Sequence, residues 1–396
     1  MKLSLRNIML AAGVVALAAP AMAQTMTVKT EWYKTYTINR NESRFGAGFG
    51  GKVYFNDKAN KKVMTIDKDG NVEEYATVEG IGTGIAIDDA GNVLVNTGFP
   101  GLTSSTNYVI ISAEDKSQTT LTLDINADNA GHAPARVDQI GRVAGNLLSE
   151  EGAYFFITMW KSTDDPIYYI TTVFVQNGKQ AMGDLSYLMS EPCPVAMTTS
   201  HCAQPLFDFE TLAGMGDDVR TQGFAVRGRG NQKIYYYDGS DWMAFAAPKT
   251  KTSGTEGFDV FTHGEKRYTI NPVTMTKAHE NAFEIADEDG NTVFNSVTDG
   301  GVPVVCETGG QSFGSYNVRQ IDENNYEIYQ WYGANNNNCL AAVYTVNFTQ
   351  GVNDVIAADA EVAPVYYNLQ GVRVANPANG LYIKVVGEKA SKVLVK

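Results

Sequence analysis

The chain has 396 residues, of which 19% are charged and 11% aromatic, and its formal net charge at pH 7 is −13. Nucleic acids and anionic membrane surfaces are bound through basic patches, so this charge argues against both as partners. The chain contains 38 Gly and 21 Tyr, and no long stretch keeps apolar residues three and four positions apart. These features exclude a mainly helical protein and predict an all-β fold.

The first residues predict an export signal. Lys2 and Arg6 precede an apolar run from Ile8 to Ala19, and the small residues Ala21-Met22-Ala23 follow it. This order is typical of a secretory signal peptide and its cleavage site. The run is too short for a membrane-spanning helix, and no other stretch is apolar enough to cross a membrane. We therefore expect residues 1–23 to be a signal peptide and the exported chain to be a monomer without membrane insertion.

One pattern occurs six times and predicts the architecture. In each copy a short apolar run opens with a small residue, a polar turn follows, and a second run is rich in β-branched and aromatic residues. The copies occupy residues 45–55, 84–95, 142–157, 223–236, 257–270 and 316–329. Recurring hairpins of this kind are typical of blades. The sequence predicts a β-propeller over residues 24–352, with six blades, or seven if the region between the third and fourth copies contains another.

A strand with alternating residues precedes the first copy, at residues 25–39. It has two interpretations, which the sequence leaves open. It either completes the last blade as the outermost strand, which would remove an open sheet edge, or it is a plain first strand.

Residues 188–216 break the rhythm of the repeats. Pro192, Pro194 and Pro205 argue against a central strand, so we predict an inserted loop. Four cysteines in an exported protein suggest disulfides, and closeness in sequence favours two pairs, Cys193 with Cys202 and Cys306 with Cys339.

No motif predicts a metal, another cofactor or a catalytic nucleophile. The Asp-x-Asp-Gly-Asn turns at residues 67–71 and 287–291 have the glycine in the wrong place for a helix–loop–helix calcium site, whereas hairpin turn chemistry explains them. His201 beside the cysteine pair matches no zinc spacing. The four histidines lie in separate segments, and a Gly-x-Ser-x-Gly motif is missing.

The composition changes again after Gly351. Residues 353–364 are predicted to be an acidic, Ala-rich linker, and residues 365–396 a short β tail of three strands. This tail contains Tyr-Asn-Leu-Gln-Gly at 367–371, Gly-Leu-Tyr-Ile at 380–383 and Lys-Val-Leu-Val-Lys at 392–396. It resembles the C-terminal sorting domain of Bacteroidetes proteins that leave the cell by type IX secretion. The resemblance implies that lineage and a secreted or cell-surface location, or a periplasmic one if the tail does not act as a sorting signal, and it implies no activity.

The segments that precede the innermost strands are the candidate binding site. In a propeller they surround one mouth of the central channel, where ligands commonly bind. Here they contain Arg44, Arg136, Asp138, Arg220 and Glu256. Arginines and carboxylates beside amides and hydroxyls suit a polar ligand such as a sugar. The alternative is that they pair with one another and only cap the channel.

Two functions are compatible with this sequence. The first is a non-catalytic exported propeller that binds a glycan or protein ligand at the channel mouth, or that acts as a scaffold for a surface complex. The second is a hydrolase or lyase acting on a saccharide or lactone, with a carboxylate such as Asp138 or Glu256 as acid or base. A fold of this kind supports both, and the missing catalytic motifs favour the first.

Overall fold

The structure is a computed structural model that describes residues 24–97, 105–124, 140–162, 165–181, 186–189, 201–228, 234–238, 240–245, 257–273, 281–302, 313–334, 337–350, 364–369, 372–386 and 389–395. The predicted signal peptide and nearly all of the predicted linker lie outside these ranges.

The described chain begins with a long strand, β1 (Gln24–Thr37). Sheet 1 contains β2 (Gly46–Phe49), β3 (Lys52–Asp57), β4 (Lys62–Ile66) and β5 (Val72–Thr77). Sheet 2 contains β6 (Ile81–Ile87), β7 (Val93–Thr97), β8 (Ser105–Ile111) and β9 (Gln118–Asp124). Sheet 3 contains β10 (Ala144–Gly145), β11 (Ala153–Ser162), β12 (Asp165–Gln176), β13 (Lys179–Gln180) and β14 (Ser186–Met189). In each sheet the strand pairs are antiparallel.

The second half of the ring continues in the same way. Sheet 4 contains β15 (His201–Pro205), β16 (Phe224–Gly228), β17 (Ile234–Tyr237) and β18 (Trp242–Phe245). Its first connection contains α1 (Phe209–Gly214), a 3-10 turn (Gly216–Asp218) and α2 (Val219–Gln222). Sheet 5 contains β19 (Asp259–His263), β20 (Lys266–Pro272), β21 (Phe283–Asp287) and β22 (Thr292–Asn295). Sheet 6 contains β23 (Phe313–Gln320), β24 (Asn325–Gly333), β25 (Asn338–Gln350) and β1. Neither described helix has the length and apolar character needed to cross a membrane.

Hydrogen bonds connect these six sheets of the described chain into a closed ring. Asn56 Nδ2 donates to Gly82 O (3.1 Å) between sheets 1 and 2, and Asp89 N to Gly145 O (2.9 Å) between sheets 2 and 3. Arg142 N donates to Gln204 Oε1 (2.6 Å) between sheets 3 and 4, and Gln204 Nε2 to Phe258 O (2.7 Å) between sheets 4 and 5. Val318 N donates to Asp259 Oδ2 (2.7 Å) between sheets 5 and 6, and Gly46 N to Ser315 Oγ (2.8 Å) between sheets 1 and 6. The first strand of each sheet therefore lies nearest a common axis. This is a β-propeller, and the predicted fold class is confirmed.

The N-terminal strand β1 is the outermost strand of sheet 6, beside β25. Thr345 Oγ1 donates to Glu31 Oε1 (2.9 Å), and Ile38 N donates to Asn337 O (3.0 Å). The first of the two interpretations of this segment is confirmed. Because the last blade takes strands from both ends of the sequence, the ring closes without leaving the edge of β25 unpaired.

Five of the six sequence repeats form the first hairpin of a sheet, and the fourth does not. Residues 223–236 contain β16 and β17, the second and third strands of sheet 4. The innermost strand is β15, inside the segment predicted to be an inserted loop, so that prediction is wrong for residues 201–205. Pro205 is tolerated there because an innermost strand is hydrogen-bonded to a neighbour on one side only. Residues 190–200 of the predicted loop lie outside the described residues.

Aromatic side chains fill the space between neighbouring sheets. Phe55 of sheet 1 stacks on Trp331 of sheet 6, with ring centroids 4.4 Å apart, and both are buried. Between sheets 2 and 3, Tyr108 and Phe155 meet edge to face at 5.9 Å. Large flat side chains suit this position because packed sheets are about 10 Å apart, and their burial supplies much of the hydrophobic stabilisation of the ring.

A further antiparallel sheet follows near the C terminus. It contains β26 (Val365–Tyr367), β27 (Arg373–Val374), β28 (Gly380–Val386) and β29 (Lys389–Val395), in the order β27-β26-β28-β29. The sequence predicted three strands here, and β27 is the additional one. This sheet belongs to a different compact unit from the propeller residues Met26–Phe348. Its role as a sorting signal stays a prediction.

Cys202 and Cys339 are both buried, and no disulfide bond is formed among the described residues. Their predicted partners, Cys193 and Cys306, lie outside those residues. Cys339 Sγ lies 3.5 Å from Ile38 O, and burial raises the pKa of its thiol to about 11. Both disulfide pairs stay predictions.

Candidate functional site

The axis of the propeller opens into a cavity of about 620 Å³, which we call the axial cavity. It lies at the end of the ring where the innermost strands β2, β6 and β23 finish. Its wall includes Phe49, Gly50, Gly51, Asp89, Arg142, Phe207, Asp208, Arg319, Gln320, Glu327 and Tyr329. Below it, among Gly46, Ile85, Gln204 and Ser315, the remaining space is only about 20 Å³, which is little more than the room for one water molecule. The space along the axis is therefore much narrower below the axial cavity.

Arg319 connects three sheets at the base of the cavity. Its Nε donates to Gly48 O (2.7 Å) and its Nη2 to Ile87 O (2.8 Å). Burial, which leaves the side chain 11% exposed, lowers its pKa from the ordinary value, but a guanidinium keeps its charge in proteins. Nη1 is 3.6 Å from Asp89 Oδ1, too far for a good hydrogen bond. Nη1 is therefore the guanidinium nitrogen of Arg319 that can donate a hydrogen bond to a ligand.

A second pair, Arg142 and Asp259, lies deeper. The buried Asp259 accepts hydrogen bonds from Val260 N (2.8 Å) and Val318 N (2.7 Å), and Arg142 Nε lies 3.9 Å from its Oδ1. Arg142 Nη2 donates to Pro205 O (2.9 Å). Burial raises the pKa of Asp259, and the nearby Arg142 charge opposes that rise. Oδ2 thus joins sheets 5 and 6, whereas Oδ1 accepts from the next residue of its own strand.

The raised pKa of Asp259 predicts how stability depends on pH. The folded protein holds the proton of the Asp259 carboxyl more tightly than the unfolded chain does. The carboxyl therefore contributes fully to the free energy of unfolding below its unfolded pKa of about 4, and this contribution is lost as the pH rises towards the folded pKa. Asp259→Asn cannot ionise. As the pH increases from about 4, the free energy of unfolding of Asp259→Asn should therefore decrease less than that of the wild type, or increase more. Urea unfolding at a series of pH values measures this, and equal pH slopes for the two proteins would contradict it.

Tyr329 and the turn after β2 form the side of the cavity. The Tyr329 hydroxyl donates to Glu327 Oε2 and accepts from Gly51 N (2.9 Å). Burial, assisted by the bond to Glu327, raises the pKa of Tyr329, so the phenol stays protonated at neutral pH. Gly50 and Gly51 have φ of +59° and +76°, both in the left-handed region that a two-residue hairpin turn requires and that glycine adopts without strain.

The wall combines aromatic faces with polar groups that are already held by the protein. Phe49 has the Arg319 guanidinium 4.8 Å from its ring centroid, and Phe207 is half-buried. Asp89 Oδ2 accepts from Gly145 N (2.7 Å), and Asp208 Oδ1 accepts from Thr211 N (2.8 Å) as the N-cap of α1. Such a surface can bind hydroxyl groups and the apolar face of a ring at the same time.

The turn aspartates have a structural role. Asp67 Oδ1 accepts from Asn71 N (3.0 Å) and Asp287 Oδ1 from Asn291 N (2.7 Å), while Gly70 takes a left-handed φ of +86°. This confirms the hairpin interpretation of both turns. In the part of the chain that the structure describes, no group of His, Cys, Asp and Glu is arranged to hold a metal ion.

Of the five residues predicted to bind a ligand, only Arg44 has a side chain among those that the structure describes. Arg44 is half-buried on the segment before β2, at the other end of that strand from the axial cavity. Arg220 lies in α2, and its side chain is outside the description. Arg136, Asp138 and Glu256 lie outside the described residues. Their role in binding stays a prediction.

The residues that line the axial cavity were not among those predicted from the sequence. Most of them end an innermost strand or follow it: Phe49-Gly50-Gly51 in the first repeat, Asp89 in the second, and Arg319-Gln320 in the sixth. The signal that could have found them is an arginine or acid at the end of an apolar innermost run.

Comparisons with known proteins give fold-level similarity at most. No family model matches the chain, and a search of curated proteins finds no match either. Among solved structures, a Dyadobacter fermentans protein of unknown function is 10% identical with a TM-score of 0.44, covering 81% of this chain and 99% of that one. A gluconolactonase from Xanthomonas campestris is 11% identical with a TM-score of 0.41, covering 80% and 89%. A streptogramin B lyase is 10% identical with a TM-score of 0.40, covering 83% and 99%. Values this low assign neither an activity nor a ligand to this chain.

Proposed function

We propose that the chain is a non-catalytic binding protein whose axial cavity holds a saccharide. The observation that carries the proposal is the wall itself, in which the aromatic rings of Phe49 and Phe207 lie beside the charged groups of Arg319, Asp89 and Arg142. A sugar presents hydroxyl groups and an apolar ring face, which fixed polar groups and aromatic rings recognise together. The volume of about 620 Å³ lies within the range of about 300–1,000 Å³ that is usual for small-ligand pockets.

The carboxylates of the wall favour binding over catalysis. A glycosidase needs two carboxyl groups free to act on the scissile bond. Here Asp89 and Asp208 accept hydrogen bonds from backbone amides, and Glu327 accepts one from Tyr329. Among the described residues of the wall, the hydrolase or lyase hypothesis would use Glu327 and Tyr329 as its acid and base. With the signal peptide and tail predicted from the sequence, binding would take place outside the cell or at its surface.

A panel of saccharides tests the proposal. Cellobiose, maltose, chitobiose and digalacturonate are titrated into the exported chain, and the melting temperature and heat of binding are recorded. We expect at least one to raise the melting temperature progressively with concentration, as ligand linkage requires. Chromatography of the same mixtures for cleavage products separates a binder from an enzyme. Absence of a shift with every probe, or turnover of the sugar that binds, would contradict the proposal.

Glu327→Gln is expected to weaken binding of that saccharide by about tenfold, because a charged acceptor of the wall becomes a neutral amide. Isothermal titration calorimetry measures the change. Glu323→Gln is the matched control, since Glu323 is an exposed residue of the turn between β23 and β24 and does not line the cavity. Arg44→Ala tests the mouth predicted from the sequence. If Arg44→Ala loses affinity and Glu327→Gln does not, the saccharide binds at the mouth beside Arg44, and the proposal of an axial-cavity site is contradicted.

A further inference from the structure

A second recess of about 390 Å³ adjoins the axial cavity, and we call it the outer groove. It lies at the same end of the ring, where sheet 1 faces the turn between β8 and β9 of sheet 2. Its walls include Lys52, Tyr54, Thr65, Glu73, Tyr75 and Lys116. Phe49 and Gly50 line both the outer groove and the axial cavity. The two recesses are therefore separated only by the turn that follows β2.

The shape of this turn leaves a passage between the two recesses. A Cβ atom built on Gly50 or Gly51 would meet no atom within 4 Å, so open space lies above both residues. Phe49, in contrast, is fixed: Arg319 lies over its ring at 4.8 Å, and Gly91 approaches the ring so closely that a Cβ there would be 2.7 Å from Cε1. The Gly50–Gly51 turn therefore presents only backbone atoms to the open space, and the ring of Phe49 beside it is held in place.

The outer groove repeats the chemistry of the axial cavity. Tyr54 and Tyr75 meet edge to face at 5.0 Å, and Lys116 Nζ lies 3.8 Å from the centroid of the Tyr75 ring. Lys52 pairs with Glu73 at 3.6 Å. Aromatic rings beside paired charges present a neutral, polar surface without an excess of either sign. Such a surface suits a hydroxyl-rich neutral ligand better than an ionic one.

Lys116 is held over Tyr75 by an uncommon backbone conformation. Its φ is +64°, a region that lysine adopts at a cost of about 1–2 kcal/mol. In this conformation Lys116 N donates to Ser112 O (3.1 Å) and Nζ donates to Ala113 O (3.2 Å). Glycine would fit the same turn without strain. Lysine therefore costs stability here, and its ammonium lies over the Tyr75 ring at the wall of the groove.

We propose that the axial cavity and the outer groove form one extended site for a linear, neutral oligosaccharide. One end of the chain lies in the axial cavity, and the following sugar units cross the Gly50–Gly51 turn and lie against Tyr54, Tyr75 and Lys116. This inference rests on the proposed function, which it extends from a single saccharide to an oligosaccharide. Continuity of the two recesses through Phe49 and Gly50 is the observation that supports it.

The test compares short and long ligands of one series. Isothermal titration calorimetry is carried out with cellobiose and cellohexaose, maltose and maltohexaose, and chitobiose and chitohexaose. In the series that binds, we expect the hexasaccharide to bind at least tenfold more tightly than the disaccharide. Lys116→Gly should remove most of this difference while leaving the affinity for the disaccharide unchanged, and because it relieves the left-handed strain it should not lower the melting temperature. Tyr75→Ala should act on the hexasaccharide in the same way.

Lys61→Gly is the matched control. Lys61 is also an exposed lysine with positive φ (+59°), but it does not line either recess. It should leave both affinities unchanged. Equal affinities for the disaccharide and hexasaccharide, or an undiminished gain in Lys116→Gly, would overturn the extended site while leaving the axial site intact. If neither length binds in any series, this inference fails, and the proposed function fails with it unless digalacturonate binds.

Discussion

Replacing Arg319 with alanine is expected to lower the free energy of unfolding by about 3–5 kcal/mol. The guanidinium donates to Gly48 O in sheet 1 and Ile87 O in sheet 2 from its own place in sheet 6. Its removal would leave both carbonyl groups without this charge-assisted donor and Asp89 without its nearest cation. Three sheets would lose their common connection at once.

Urea unfolding of the wild type and the variants measures this loss. Arg319→Lys should fall between the wild type and Arg319→Ala, because an ammonium keeps the charge but cannot reproduce the fork that reaches two carbonyls. Lys68→Ala, an exposed cation in a turn of sheet 1, is the control and should change stability by less than about 0.5 kcal/mol. A loss below about 1 kcal/mol in Arg319→Ala would show that Arg319 does not hold the sheets together.

Gly48→Ala is expected to destabilise the protein by about 3 kcal/mol through overpacking. A Cβ atom at Gly48 would overlap the ring of Tyr329, and that ring cannot move freely because its hydroxyl is bonded to Gly51 N and Glu327. The variant should therefore also disturb the wall of the axial cavity. Urea unfolding gives the change in stability, and the affinity for the saccharide reports the change in the wall.

Gly214→Ala is the control for this substitution. Gly214 is in α1, and a Cβ there would meet nothing within 4 Å. It should be neutral, or stabilising by about 0.5–1 kcal/mol, since alanine favours the helix. The double variant Gly48→Ala/Tyr329→Ala should lose less stability than the sum of its single variants, because removing the ring relieves the overlap. Strict additivity would refute the overlap as the cause.

The fold was predictable because its repeats are local. Each hairpin carries its own apolar runs and its own turn, as Asp67 to Asn71 illustrates, and these signals need no information from distant residues. Sheet 4 was misassigned because β15 contains Pro205 and a buried amide, Gln204, in place of a plain apolar run. The Gln204 side chain is hydrogen-bonded to the backbone of Arg142 and Phe258, which are distant in sequence. Such pairing cannot be recognised from one strand alone.

The axial cavity was not predictable for the same reason. The direction of the innermost strands shows which residues share an end of the ring, but side-chain packing decides which end is open. Here Ser315 and Gln204 lie beside the narrow space beneath the cavity, and Arg319 reaches across three sheets at its base. The residues predicted from the sequence precede the innermost strands, whereas most of the residues that line the axial cavity end those strands or follow them.

A crystal structure of the chain with the best-binding saccharide tests the central claim most directly. We predict electron density for the sugar in the axial cavity, with a ring face against Phe49 or Phe207 and a hydroxyl group within hydrogen-bonding distance of Arg319 Nη1. In Glu327→Gln crystals grown under the same conditions, this density should weaken. Density for the sugar at the opposite mouth, beside Arg44, would contradict the account.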